Sequence, residues 1–177
     1  MKYACVRAVL GFSALGGFSQ APAQTDPLAV LGAFVGQWQG STSGKPGAGT
    51  TTREYRFALN GHFLWQHDRS VYETGNTASP QFIHEDEGYF SYDATQKKIL
   101  WMQFHSEGLV NEYALESAGA DGKSLEFVTT QIQNLPGFRA KKLYRIVSPD
   151  AIDETFWLAP PGKDFEPYTE AHLKRVK

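Results

Sequence analysis

The feature that most constrains the fold is a succession of short β-prone runs separated only by turns, which begins at Thr50 and continues to the end of the chain. Asn60-Gly61 is the clearest turn, because Asn-Gly is the preferred pair for a two-residue type I′ hairpin. Further turn sequences stand at Asp93–Lys97, Glu107-Gly108 and Asp121-Gly122. Strands joined by turns this short are antiparallel. The sequence therefore predicts an all-β domain, a single antiparallel up-and-down β-barrel of about eight to ten strands, since closure removes exposed edges.

The runs between the turns predict the positions of the strands, and the segment before them predicts a helix. Asp26-Pro27, followed by apolar residues three and four apart, indicates one short N-terminal helix with Asp26 as its N-cap. Gly40–Gly49 is rich in glycine, serine and threonine and predicts a loop. The predicted strands are Thr51–Leu59, His62–Tyr72, Gly88–Tyr92, Lys98–His105, Leu109–Leu115, Ser124–Gln131, Lys141–Val147, Ile152–Leu158 and Thr169–Val176.

The first residues are typical of a secretory signal. Lys2 and Arg7 give a positive start, Ala8–Phe18 is an apolar run, and small residues follow where a signal peptidase would cut. The apolar run is about half the length of a membrane-spanning helix, which needs roughly 20 residues. The sequence predicts a cleavable signal peptide over 1–23 and a barrel domain over 24–177.

Composition narrows the classes of partner. Cys5, the only cysteine, lies in the predicted signal, so the mature domain is expected to fold without a disulfide. Loss of two basic residues with the signal leaves 15 Lys and Arg against 19 Asp and Glu, a net charge of −4. A mildly acidic chain lacks the basic surface of a nucleic-acid-binding protein. We expect a periplasmic or secreted protein with no nucleic-acid partner and no stable membrane anchor. The oligomeric state is left open.

Tight hairpins fix which side chains share a face, because successive strand residues point to opposite sides. A Glu107-Gly108 turn places Met102 opposite Tyr113, and Gln103 opposite Glu112. The Asn60-Gly61 turn predicts five cross-strand pairs: Arg53 with Asp68, Glu54 with His67, Tyr55 with Gln66, Arg56 with Trp65, and Phe57 with Leu64.

The polar and aromatic side chains on these strands are the candidate ligand-binding residues. Pockets combine apolar and aromatic walls with a few polar groups, and the chain contains 4 Trp, 8 Tyr and 12 Phe. We therefore expect a small apolar or aromatic ligand. The pattern leaves open which face of the hairpin around His105 and Glu112 lines the cavity. The candidates are Tyr55, Trp65, His67, Trp101, Gln103, His105 and Glu112.

Two other functions stay open at this point. His67, His105 or Glu112 could transfer protons in a small barrel enzyme of the lyase or isomerase type. No nucleophile elbow, phosphate loop or zinc motif is present in the sequence, so no catalytic residue is assigned. The protein could also be an accessory protein without a ligand. The run His84–Glu87 could hold a hard cation, or be a solvated loop that enters a strand.

Three motifs carry a resemblance to a known family. Gly36-Gln37-Trp38 stands between the predicted helix and the strands, and Asn60–Leu64 and Glu87–Asp93 follow on the predicted strands. Together they resemble the calycin superfamily, which includes lipocalins, and within it the nitrobindin-like haem-binding barrels and a related bacterial group of unassigned function. The resemblance spans most of the mature chain. It implies a barrel with a central cavity and a binding role, with haem as a possible cofactor.

The resemblance also implies roles for residues near the two ends of the barrel domain. In the haem-binding members, a histidine near the C-terminus, followed by Leu and a basic residue, is the axial iron ligand, and His172 stands in the matching place. Strand alternation groups His172 with Glu170 and Lys174, so a solvated face is the alternative. Trp38 is expected to close one end of the barrel with Arg175 stacked on its ring, or else to line the pocket.

Overall fold

A computed structural model describes residues 26–76 and 78–177, and these residues form a closed antiparallel barrel of ten strands. Each strand pairs with the next along the chain, and the first pairs with the last. The predicted single up-and-down barrel is therefore confirmed, while the predicted signal lies outside the described residues. The strands are β1 Gly36–Gly44, β2 Gly49–Ala58, β3 Phe63–Glu73, β4 Gln81–Asp93, β5 Lys98–His105, β6 Val110–Ala118, β7 Ser124–Gln133, β8 Arg139–Ser148, β9 Ala151–Ala159 and β10 Glu166–Arg175.

The loop predicted over Gly40–Gly49 is wrong in its first half, where β1 extends to Gly44. Glycine is needed there because β10 passes very close: a Cβ on Gly40 would collide with the carbonyl group of His172. Glycine inside a strand often marks such a close approach of two backbones. The small residues from Gly40 to Gly44 thus allow the barrel to close as part of β1.

The β2–β3 hairpin has the predicted register, and all five predicted pairs are present. The β5–β6 hairpin differs from its prediction by one residue: Gln103 pairs with Asn111, and Trp101 pairs with Tyr113. The connection contains three residues, because Gly108 takes a positive φ of 80° and its N–H donates to the His105 carbonyl. A three-residue hairpin with glycine in the left-handed region is a common alternative to the two-residue turn.

The slip of one residue changes which β6 residues share the inner face with Trp101 and Gln103. Trp101, Gln103 and Tyr113 are buried, with exposures of 1%, 0% and 1%. The predicted pairings of Met102 with Tyr113 and of Gln103 with Glu112 are wrong. Met102 and Glu112 instead pair with each other, and Met102 is 41% exposed on the outer surface.

The N-terminal helix is a 3₁₀ helix, Ala29–Phe34, that closes one end of the barrel. Leu28 is its N-cap residue, and the Asp26 carboxylate accepts a hydrogen bond from the Leu28 N–H at 2.9 Å. The Phe34 ring packs inside against the rings of Tyr55 and Tyr144. No helix within the described ranges is long and apolar enough to cross a membrane.

Next to this end, the barrel interior is packed with aromatic rings. The ring of Trp101 stacks between those of Phe90 and Tyr113, with centroid distances of 4.7 Å on both sides. Phe127 meets the same group edge-on. Stacked and edge-on rings of this kind each add about 0.5–1.5 kcal/mol to the stabilisation from burial. This aromatic layer fills one half of the barrel and leaves the other half for a cavity.

Candidate functional site

The open half of the barrel contains a cavity of about 250 Å³. It has three parts: an apolar wall, a charged floor and a mouth that carries two imidazoles. The wall includes Tyr72, Phe82, Ile132, Phe156 and Leu158. The floor is made by Arg53, Asp68, Asp86, Lys142 and Glu154, and the mouth by His84, His105 and Glu107.

Arg53 holds the floor together through two carboxylates. Its Nε lies 2.8 Å from Asp68 Oδ2, and Nη1 and Nη2 lie 2.5 and 3.0 Å from the two oxygens of Glu154. Burial favours the neutral form of Glu154, but the positive charges of Arg53 and Lys142 outweigh it and lower the pKa of Glu154 to about 2. Burial raises the pKa of Asp68, which Arg53 only partly offsets.

Asp86 is the third buried carboxylate and is held by two amides. Gln66 Nε2 and Gln103 Nε2 both donate to Asp86 Oδ1 at 2.6 Å. Burial alone would raise the pKa of Asp86, but the hydrogen bond with His84 and the charge of Lys142 lower it well below its usual range. Asp86 is therefore ionised, with its Oδ2 turned towards the mouth.

The two histidines at the mouth differ in charge. His84 lies 2.9 Å through Nδ1 from Glu107 Oε1, and 3.3 Å through Nε2 from Asp86 Oδ2. Burial opposes a charge on His84, but these two hydrogen bonds prevail and raise its pKa to about 9. Burial lowers the pKa of His105 to about 4, and its buried Nε2 makes no hydrogen bond to any described residue. His105 is therefore neutral at pH 7.

Lys142 is a buried cation that no described carboxylate contacts. Its side chain is on β8 and only 7% exposed. Its Nζ lies 4.9 Å from the ring centroid of Trp101 and 5.7 Å from that of Phe156. Within residues 26–76 and 78–177, no hydrogen bond or ion pair within 4.0 Å engages this ammonium group. A cation–π contact stabilises a buried cation only in part, so the ammonium group remains able to bind an anion.

The structure divides the predicted ligand-binding residues into three groups. His105 lines the cavity. Tyr55, Trp101 and Gln103 lie inside the barrel but in its packed part, with exposures of 0–2%. Trp65, His67 and Glu112 lie on the outer face, where they bond to Glu87, Glu85 and Gln133, respectively. These last three do not reach the cavity because strand alternation turns them outward. His67, His105 and Glu112 therefore do not come together as an acid–base group.

His172 also lies on the outer face. Its side chain is 64% exposed, and Nδ1 lies 2.8 Å from Asp153 Oδ1 on β9. Its neighbours Ala171 and Leu173 are the residues of this part of β10 that point inward, with exposures of 3% and 2%. His172 therefore lies on a solvated face, which is the second of the two positions considered from the sequence. Its ring is not placed to ligate an iron inside the barrel.

Trp38 and Arg175 lie together at the closed end of the barrel. The Trp38 ring is 1% exposed, and its Nε1 donates to the Phe34 carbonyl at 2.7 Å. The Arg175 guanidinium lies 4.1 Å from the ring centroid and donates to the carbonyls of Val35 and Ala33. These contacts fix the helix over the barrel end and keep Trp38 away from the cavity.

Sequence reasoning missed Lys142 and Glu154, and it considered His84 and Asp86 only within the run His84–Glu87, as a possible hard-cation site. A usable signal existed on β4, because strand alternation puts His84 and Asp86 on one face, and Asp86 pairs with His105 on β5. Lys142 gave no signal, since the sequence does not distinguish it from Lys141. Lys141 points outward, where its Nζ lies 3.5 Å from Glu126.

A comparison with family models identifies a match over residues 27–175, described as "THAP4-like, heme-binding beta-barrel domain". No curated protein matches the chain.

Two solved structures can be compared with this barrel. The crystal structure of Rv2717c from M. tuberculosis has a TM-score of 0.63 and 16% identity, and the match covers 89% of this chain and 99% of Rv2717c. A protein of unknown function from the DUF3598 family of Nostoc punctiforme has a TM-score of 0.31 and 6% identity, and the match covers 86% of this chain and 100% of that protein. At 16% identity, the likeness to Rv2717c shows the fold alone.

Proposed function

We propose that this chain, which belongs to the THAP4-like haem-binding β-barrel family, binds a small apolar carboxylate, aromatic or aliphatic, in the cavity. The main support for this proposal is that the Lys142 ammonium group is buried without a direct carboxylate contact. Asp86 and Glu154 attract this ammonium group at longer range, but a buried charge without a directly hydrogen-bonded partner remains unfavourable. An anionic ligand supplies that partner from within the cavity.

The remainder of the ligand would lie against the apolar wall. Phe156 lies beside Lys142 and, with Leu158 and Ile132, forms an apolar surface facing the cavity. Ligand sites typically combine such walls with a few polar groups that fix orientation. A carboxylate on Lys142 and a ring or short chain on Phe156 would use both features. This retains the aromatic or apolar ligand expected from the sequence and adds a charged end.

Haem, the ligand named for the family, fits these residues poorly. The matching histidine, His172, is outside the barrel. His105 lines the cavity and its Nε2 has no hydrogen-bond partner among the described residues, but the volume is about 250 Å³, below the roughly 300–1,000 Å³ of pockets for drug-sized ligands. The floor would also place three buried carboxylates beneath an apolar macrocycle. We therefore assign no part of the proposed function to haem.

Isothermal titration with benzoate and with benzamide tests the role of the charge. The two probes have similar shapes, but only benzoate carries a carboxylate. A hydrogen bond to a charged group contributes about 1.5–3 kcal/mol, so Lys142→Met is expected to weaken benzoate binding about tenfold to a hundredfold. Lys141→Met is the matched control on the outer face, and it should leave the affinity for benzoate unchanged. Equal affinities for the two probes, or an unchanged affinity in Lys142→Met, would contradict the proposal.

A titration with ferric haem tests the size argument separately. We expect no defined Soret shift in the wild-type protein and no effect of His172→Ala on the spectrum. A sharp Soret shift that disappears in His105→Ala would show that the cavity opens to admit a porphyrin. That result would replace the small carboxylate with haem.

We also infer that the protein is exported to the periplasm or secreted. The support is the positive start, the apolar run and the small residues before Gln24. A mature domain without cysteine has no thiol that an oxidising compartment could cross-link.

A further inference from the structure

We propose that His84, Asp86 and His105 bind a divalent first-row transition metal at the mouth of the cavity. Each of the three side chains offers one ligand atom, and these atoms lie within 4.8 Å of one another. Two imidazoles and one carboxylate on one side of an ion, with the other positions open, are the ligand set typical of non-haem Fe(II) sites. The proposal is independent of the carboxylate ligand proposed above.

Strand geometry brings the three ligands together without a loop. His84 and Asp86 are two residues apart on β4, so both point into the barrel. Asp86 pairs directly with His105 on β5, which places the second imidazole beside the carboxylate. The ring centroids of His84 and His105 are 5.3 Å apart. Ligands on paired strands are held more rigidly than ligands on loops.

Groups behind the ligands orient them towards one point. Glu107 Oε1 lies 2.9 Å from His84 Nδ1, which leaves Nε2 as the metal-binding nitrogen. Gln66 and Gln103 both donate to Asp86 Oδ1, which leaves Oδ2 directed at His84. Carboxylates behind ligating histidines, and hydrogen bonds to ligating carboxylates, are the usual outer shell of protein metal sites.

The third ligand atom provides an independent indication of a missing partner. His105 Nε2 is buried and has no hydrogen-bond partner among the described residues. A buried polar atom without a partner costs about 1–3 kcal/mol, and a metal ion would satisfy it. The ion would also replace the proton between His84 Nε2 and Asp86 Oδ2, which are 3.3 Å apart. Its open positions would face the cavity.

Titration of the metal-free protein with Co²⁺ tests the site, because the visible d–d absorption of Co²⁺ shifts and strengthens when imidazole nitrogens replace water ligands. We expect one equivalent to bind, Zn²⁺ to displace it, and Mg²⁺ to leave it in place, because Mg²⁺ prefers oxygen ligands. The spectrum with His105→Ala should remain that of hydrated Co²⁺. Glu107→Gln should bind about 10–100-fold more weakly, the usual effect of removing an outer-shell partner.

His172→Ala is the matched control, because it removes an exposed imidazole that also faces a carboxylate. It should bind Co²⁺ as the wild type does. Circular dichroism of each variant checks the fold, and since His105 is at the mouth, His105→Ala should remain folded. An unchanged spectrum of hydrated Co²⁺ with the wild type, or loss of binding in His172→Ala but not in His105→Ala, would overturn the proposal. Benzoate titration in excess EDTA tests the carboxylate proposal separately.

Discussion

Replacing Arg53 with methionine tests the charged floor of the cavity most directly. The Arg53 guanidinium contacts Asp68 at 2.8 Å and Glu154 at 2.5 and 3.0 Å, and all three side chains are only 4–5% exposed. Methionine fills much of the same volume without a charge, so the two carboxylates lose their direct counter-ion. Removing one partner of a buried ion pair costs about 3–5 kcal/mol. We expect the free energy of unfolding at pH 7 to fall by that amount.

Urea denaturation, followed by circular dichroism and tryptophan fluorescence, measures this loss as a lower midpoint at an unchanged slope. Lys45→Met is the control. Lys45 lies 2.8 Å from Glu166, but the two side chains are 54% and 66% exposed, and such surface pairs contribute at most about 1 kcal/mol. If Arg53→Met lowered stability no more than Lys45→Met does, the buried ion pairs would not support the fold as argued.

The decrease in the free energy of unfolding caused by Arg53→Met should also depend on pH, and the direction of this dependence follows from the pKa of Glu154. Arg53 and Lys142 hold the pKa of Glu154 near 2 against the effect of burial. Because this pKa lies below the usual value, the stabilisation is present above the usual pKa and is lost as pH falls through about 2. Without Arg53, burial raises the pKa of Glu154, and the folded protein is penalised wherever the carboxylate stays ionised. The deficit should therefore be largest near pH 7 and shrink towards about pH 4. A deficit that is equal at both would indicate lost packing instead of charge.

Three further predictions concern the closed end, the aromatic layer and export. Trp38→Ala should lower the free energy of unfolding by about 3–5 kcal/mol, because it empties a fully buried site, and a loss below about 1 kcal/mol would contradict the packing. In Gly88→Ala, the added Cβ would lie 2.6 Å from Trp101 Nε1. We expect a loss of about 1–3 kcal/mol and a changed near-ultraviolet spectrum, whereas an unchanged spectrum would count against the contact. N-terminal sequencing of exported protein should begin within a residue or two of Gln24, and an intact Met1 would refute processing.

The fold was predictable because its strongest signals are local. Asn60-Gly61 specifies both a turn and a register, and from that register all five predicted pairs of β2 and β3 follow. β1 was harder to predict, since its glycines and serines resemble a loop. They are required by a long-range contact, the approach of Gly40 to the β10 backbone. A local pattern carries no information about such a contact.

The site was less predictable because alternation separates two faces without saying which one is inside. On the β5–β6 hairpin, the face with Met102 and Phe104 is the more apolar of the two, yet both residues are more than 40% exposed. The inner face carries Gln103 and His105 instead. A three-residue turn at Gly108 in place of a two-residue one changed which β6 residues join them. A prediction that places the more apolar face inside is wrong for this hairpin, because this part of the barrel interior is polar and charged.

The charged interior is itself an argument for binding. Replacing buried ion pairs with apolar residues of similar volume is often neutral or stabilising by about 1–4 kcal/mol, so folding alone does not require Arg53 and its carboxylates. The same barrel packs its other half with rings such as Trp101 and Phe90, which shows that an apolar filling is available to this chain. The charges instead surround Lys142 and the imidazole of His105, where a ligand would need them. Features that do not serve stability occur most often at functional sites. In this barrel, those features are the buried charged side chains around the cavity.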